Sequence, residues 1–164
     1  MYAQDPQHQL HQSAKKMKDL EKAKRILKDE DLSLVIVKDG KTIFRSDSPG
    51  IDGILQAIEK LSKQLSRSSV ADKIVGKAAA LLFAYSRIAS VYAATLSRRG
   101  LRTLSKHKIP VEYDLLVPEI LDKKGKDICP FERFTSNIES PDCAFEKLKA
   151  YMESLKKGRA EPSF

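Results

Sequence analysis

The stretch from Asp72 to Ser97, DKIVGKAAALLFAYSRIASVYAATLS, constrains the fold more than any other part of the chain. It is apolar over most of its length, yet Gly76-Lys77 and Ser86-Arg87 divide it into a short strand, a buried helix and a second strand. Ala78 to Tyr85 is hydrophobic all round and rich in Ala and Leu, which suits a helix covered on more than one side. Val91 to Leu96 mixes β-branched, aromatic and small residues, as a strand buried on both faces does. A membrane span is excluded, because Ser86, Arg87 and Ser90 interrupt the run well short of the roughly 20 apolar residues a bilayer requires. The Val-Gly-Lys turn opens the helix with unpaired N–H groups and a lysine beside them, a place where an anion can sit. It is not a P-loop, since the spaced glycines and the Lys-Ser/Thr pair are missing.

With 164 residues, 41% of them hydrophobic, the chain can bury one good core and is most simply one folded domain. Two cysteines are too few for a disulfide scaffold, and MYAQDPQHQLHQS has no apolar signal-peptide core, so a reducing, cytoplasmic location is expected. The net charge of +8 raises the question of nucleic acid or anionic membranes. Much of it lies between Lys15 and Lys28, where Lys15, Lys16, Lys18, Lys22, Lys24, Arg25 and Lys28 outnumber Asp19 and Glu21. Met17, Leu20, Ala23 and Leu27 run through that segment at helical spacing. It is read as an amphipathic surface helix docked on the domain, with nucleic-acid binding as the alternative and membrane association not expected. Residues before about Ser13 are expected to fray.

In chain order, Leu32 to Arg45 (LSLVIVKDGKTIFR) predicts a hairpin, because Asp39-Gly40 accepts the positive φ of a tight primed turn. Ser46 to Gly50 breaks the strand, and Ile51, Ile54, Leu55, Ile58, Leu61 and Leu65 place a helix over about 52–65, closed by the serines that follow. After the central unit, Arg98 to Lys108 reads as a helix with Leu101 and Leu104 inward and Arg98, Arg102 and Lys106 on one outer face. Val111 to Val117 is the last strand, Glu119 to Ile138 a long irregular loop, and Ser140-Pro141-Asp142 the start of a final helix that carries Ala144, Leu148, Tyr151, Met152 and Leu155. The organisation expected is a basic N-terminal segment (1–30), a domain (31–156) and a disordered tail (157–164). A hairpin followed by strands alternating with helices makes an α/β, three-layer α-β-α sandwich around a mixed sheet of about five strands.

The phrases SLVIVKDGKTIF, DKIVGKAAALL and ICPFE, in this order of elements, resemble a small family of uncharacterised prokaryotic proteins with a cytidine-deaminase-like fold. The resemblance covers roughly Leu32 to Leu155 and rests most on ICPFE and GKAAA. It implies that fold, and a Cys-Pro-x-Glu phrase, here Cys129 and Glu132, as the natural active-site candidate. True zinc deaminases bind metal through a His or Cys before Ala-Glu at one helix start and a Pro-Cys-x-x-Cys turn at the next. This chain has Pro49-Gly50-Ile51-Asp52 and Val75-Gly76-Lys77-Ala78 at those places, and His8, His11 and His107 stand in no H-x-E or ligand spacing. Neither zinc nor another cofactor is expected.

Three readings of function follow. The first is a zinc-free deaminase-like domain that binds a small anionic or nucleotide-like ligand where two helix N-termini converge, with Ser48, Gly50, Gly76 and Lys77 as binding residues. The second is a cysteine-dependent enzyme using Cys129 as nucleophile and Glu132 as acid or base, the basic run Lys123, Lys124, Lys126 favouring the thiolate. The third is a nucleic-acid-associated protein using the Lys15 to Lys28 helix and the Arg98, Arg102, Lys106 face.

Overall fold

In the computed structural model, which describes residues 5–158, the chain runs α1 (Pro6–Asp29), β1 (Leu34–Lys38), β2 (Lys41–Ser46), α2 (Asp52–Leu61), β3 (Ser69–Val75) and α3 (Lys77–Tyr85), followed by β4 (Ser90–Ser97), α4 (Arg98–Lys106), β5 (Val111–Val117), α5 (Pro130–Phe134) and α6 (Pro141–Lys156). The sheet order is β2-β1-β3-β4-β5. β1 is antiparallel to both neighbours, whereas β3, β4 and β5 are parallel, so the sheet is mixed. Parallel strands need crossovers, and α3 and α4 supply them.

Alternating side chains divide the sheet between two helical layers. On one face Val35, Val37, Ala71 and Tyr92 pack under Ala23 and Leu27 of α1. On the other, Leu34, Ile36, Val70 and Val91 meet Ile54 of α2, Leu81 and Leu82 of α3, Leu104 of α4 and Leu148 of α6. Every residue of α3 from Lys77 to Phe83 is buried, which explains a helix with no polar stripe. The three-layer α-β-α sandwich expected from the sequence is the architecture observed.

The hairpin forms at Asp39-Gly40, both at positive φ (51° and 79°). Its turn is held by α1: the Asp19 carboxylate accepts from the N–H groups of Asp39 (3.0 Å) and Gly40 (2.9 Å), and Lys22 donates to the Gly40 carbonyl. Lys24 and Lys28 pair with Glu112 and Asp114 of β5. The basic helix is thus docked, and its cations are partly structural. Lys15, Lys18 and Arg25 are the exposed remainder.

Several expectations are corrected. Fraying up to Ser13 is not seen within the described residues, because the Asp5 side chain caps Gln7 N–H and Pro6 stands at the first helical position. The tail from 157 lies largely outside the described residues, which stop at Gly158. The helix over 52–65 is α-helical only to Leu61 and closes as a 3-10 turn over Ser62–Leu65. The central strand starts at Ser69 rather than near Asp72: the Ser68 hydroxyl bonds the Leu65 carbonyl and Ser69 bonds Ser90 across to β4, so these serines enter the core satisfied. The segment from Glu119 to Ile138 is not irregular throughout, since Leu121 bridges Ile128 and α5 follows. Among the described residues no helix is long and apolar enough to cross a membrane.

Candidate functional site

The loop after β5 folds back over the start of α3. Pro130 opens α5 and Cys129 caps it, and the backbone N–H of Cys129 donates to the Ile120 carbonyl at 2.8 Å. Tyr151 of α6 fastens this short helix, stacking on Phe134 with centroids 4.8 Å apart and meeting Phe131 edge-on at 5.7 Å. Burial, and secondarily the charge of the Cys129 thiolate, raise the pKa of Tyr151. Phe131 lies over Gly50, where a Cβ would stand 3.5 Å from its ring.

Anchored this way, α5 presents Glu132 to the first turn of α3. The Lys77 N–H donates to Glu132 Oε1, and the Ser97 hydroxyl reaches the same oxygen at 3.2 Å. Ser97 also caps α4, accepting from Gly100 N–H at 2.9 Å. The carboxylate is 2% exposed and tied to the starts of two helices, whose partial positive charge favours it. Glu132 Oε2 has no hydrogen-bond partner among the described residues. The anion that the Gly76-Lys77 turn is built to hold is therefore, in this structure, a side chain of the protein itself. Gly76 has no room for a side chain there, and Gly100 lets α4 approach the Val75 carbonyl, a Cβ standing 3.1 Å from that oxygen.

Lys77 turns its own side chain the other way. Its ammonium, on a residue 6% exposed, donates to the Ser136 carbonyl at 3.1 Å and to Glu139 at 2.8 Å. It reaches a cleft of about 570 Å³ that is also lined by Arg99, Arg102 and Lys106 of α4 and by Ser136 and Glu139 from the segment leading into α6. Glu139 bridges Lys77 and Lys106 (3.3 Å), and hydrogen bonds from these two lysines, Lys77 first, hold its carboxyl below the usual range. Arg99 faces Glu119 at 3.6 Å. Arg102 has no ion-pair partner among the described residues. Four cations thus face one cleft carboxylate, an arrangement that suits a polyanion.

The structure brings Gly50, Gly76, Lys77 and Glu132 together around α5. Ser48 lies at the turn before α2, its N–H on the Ser46 hydroxyl, and does not line the cleft. Cys129 and Cys143 are both half-buried free thiols. His107 caps the end of α4 and His8 lies on α1. Among the described residues no group of three His, Cys, Asp or Glu side chains is disposed to hold a metal ion. Sequence reasoning missed Arg99, Glu139 and the capping role of Ser97. A serine at a strand's end followed three residues later by a helical glycine was the available signal for the last of these.

A family model described as Domain of unknown function (DUF1893) matches residues 22–152. The crystal structure of a DUF1893 family protein from Thermotoga maritima is similar over 82% of this chain and 90% of that one, at 28% identity and a TM-score of 0.76. RibD from Acinetobacter baumannii aligns over 62% of this chain and 35% of that one, at 15% identity and a TM-score of 0.46. dCMP deaminase from the cyanophage S-TIM5 aligns over 67% and 99%, at 16% identity and a TM-score of 0.42. No curated protein matches the chain.

Proposed function

The chain belongs to the DUF1893 family, and we propose that it is a ligand-binding protein whose α4-side cleft takes a small anionic, nucleotide-like molecule through its phosphate. The observation that carries this reading is the cleft itself: Lys77, Arg99, Arg102 and Lys106 converge on about 570 Å³, and Arg102 has no ion-pair partner among the described residues. That volume lies within the roughly 300–1,000 Å³ of small-molecule sites. The α3 N-terminus named from the sequence supports the site from behind, since Glu132 occupies its first turn and Lys77 alone spans both places. Fold likeness adds no chemistry of its own.

A small ligand is favoured over nucleic acid because Lys22, Lys24 and Lys28 of the basic helix are spent on the hairpin turn and β5. The cysteine reading has less support, because Glu132 is committed to Lys77 and Ser97 and is not seen bonded to Cys129.

A thermal-shift screen of nucleoside phosphates, sugar phosphates and nucleosides tests the proposal. A ligand at a hundred times its Kd stabilises by about 2.7 kcal/mol, or roughly 5–10 °C for a domain of this size. The shift is expected from phosphorylated compounds and not from the matching nucleosides. Arg102→Ala is expected to remove most of it, because one lost charge-assisted bond of about 1.5–3 kcal/mol weakens binding ten- to a hundredfold. Equal shifts from nucleosides and nucleotides, or an undiminished shift in Arg102→Ala, would sink the reading.

A further inference from the structure

We infer that Glu139 is a tethered stand-in for the ligand's anionic group, and that the group which replaces it is a phosphate monoester. The inference rests on the reading of the cleft given above and names the ligand class and the step that admits it.

Glu139 makes the bonds an incoming anion would need. It accepts from the Lys77 and Lys106 ammonium groups at 2.8 and 3.3 Å, while its side chain remains 62% exposed. Among the described residues it is the only carboxylate lining the cleft, and it faces Lys77 from α3 and Lys106 from α4, with Arg99 and Arg102 alongside. Glu139 precedes Ser140, the cap of α6, so it lies outside the helix and can swing away with that helix intact. Lys77 cannot follow it into solvent, being buried and also bonded to the Ser136 carbonyl. Removing Glu139 thus leaves a fixed, desolvated ammonium that must find another anion.

The competitor's chemistry follows from this exchange. A monoanion, such as a carboxylate or a phosphodiester, can only repeat what Glu139 already does, and it arrives from dilute solution against a group held in place by the chain. A phosphate monoester carries about −1.5 to −2 charges on three oxygens. It can satisfy both lysines and still reach the guanidinium of Arg102, which has no ion-pair partner among the described residues.

Isothermal titration of adenosine 5′-monophosphate and of its 3′,5′-cyclic phosphodiester tests this on wild type, Glu139→Gln and Asp142→Asn. The last variant makes the same charge change on the first turn of α6 at a residue that does not line the cleft. In wild type the monoester is expected to bind at least tenfold more tightly than the diester. Glu139→Gln is expected to tighten the monoester about tenfold and to make the diester measurable, while Asp142→Asn changes either by less than twofold. An unchanged monoester Kd in Glu139→Gln, or an equal gain in Asp142→Asn, overturns the stand-in role and leaves the cleft reading intact. If the monoester binds none of the three proteins, the cleft reading falls and this inference with it.

Discussion

An alanine at Gly76 is expected to destabilise the protein by about 3 kcal/mol or more, read as a fall in Tm of roughly 6–12 °C. The backbone is not the reason: Gly76 sits at φ −107°, which any residue adopts. Space is the reason, because a Cβ there would lie 2.8 Å from Glu132 Cδ and closer still to Oε1. To make room the carboxylate must leave the Lys77 N–H and the Ser97 hydroxyl, which uncaps α3 and strands a charge that is now 2% exposed. Gly40 provides the contrast. It has nothing within 4 Å but sits at φ +79°, so Gly40→Ala meets only backbone strain and is expected to cost about 1 kcal/mol. A double-mutant cycle between Gly76→Ala and Glu132→Ala should show strong coupling, as the second change removes the clash that the first creates. Additive losses would mean that Glu132 is not what fills the space.

The largest pH effect is expected from Asp72, on the central strand β3. Its carboxyl is buried opposite Leu34 and Ala93, and that burial pushes its pKa up to about 8, despite hydrogen bonds from the N–H groups of Ile74 and Lys73 that oppose the shift. An acid whose folded pKa lies above its unfolded value of about 3.9 holds its proton more tightly in the folded state. Its contribution is therefore present in full below about pH 4 and is lost progressively as pH rises to about 8. Across that window the loss amounts to as much as about 5 kcal/mol. Asp72→Asn keeps the size and the acceptor for Ile74 N–H but has no proton to lose. Urea melts should find it close to wild type at pH 4 and several kcal/mol more stable at pH 8, with the gap opening between. Parallel curves for the two proteins over that range would show that Asp72 carries no such load.

Much of the fold is legible in local patterns. The Asp-Gly turn, the all-apolar helix after Gly76 and the Ser-Pro-Asp start of the last helix each correspond to one physical requirement that a short window can express. What escapes such reading depends on residues far apart in the chain. Nothing near Gly76 shows that its turn is filled by Glu132, more than fifty positions on, or that Asp19 would hold the hairpin turn. The resemblance singles out the ICPFE phrase, but nothing in that phrase shows that Glu132 accepts from the Lys77 N–H of α3 and from the Ser97 hydroxyl that caps α4. The cleft was half visible. Spacing alone puts Arg102 and Lys106 on one face of α4, whereas Arg99 and Glu139 become neighbours of Lys77 only through packing.

The central claim is that the cationic cleft, and not the basic N-terminal helix, receives the ligand. Mapping backbone amide shifts by ¹H–¹⁵N NMR during titration with adenosine 5′-monophosphate tests it most directly. The account predicts that the largest saturable changes fall at Lys77, Arg99, Arg102, Lys106 and Ser136, with little movement at Lys15, Lys18 and Arg25. Changes centred on those three α1 residues, or none anywhere, would contradict it.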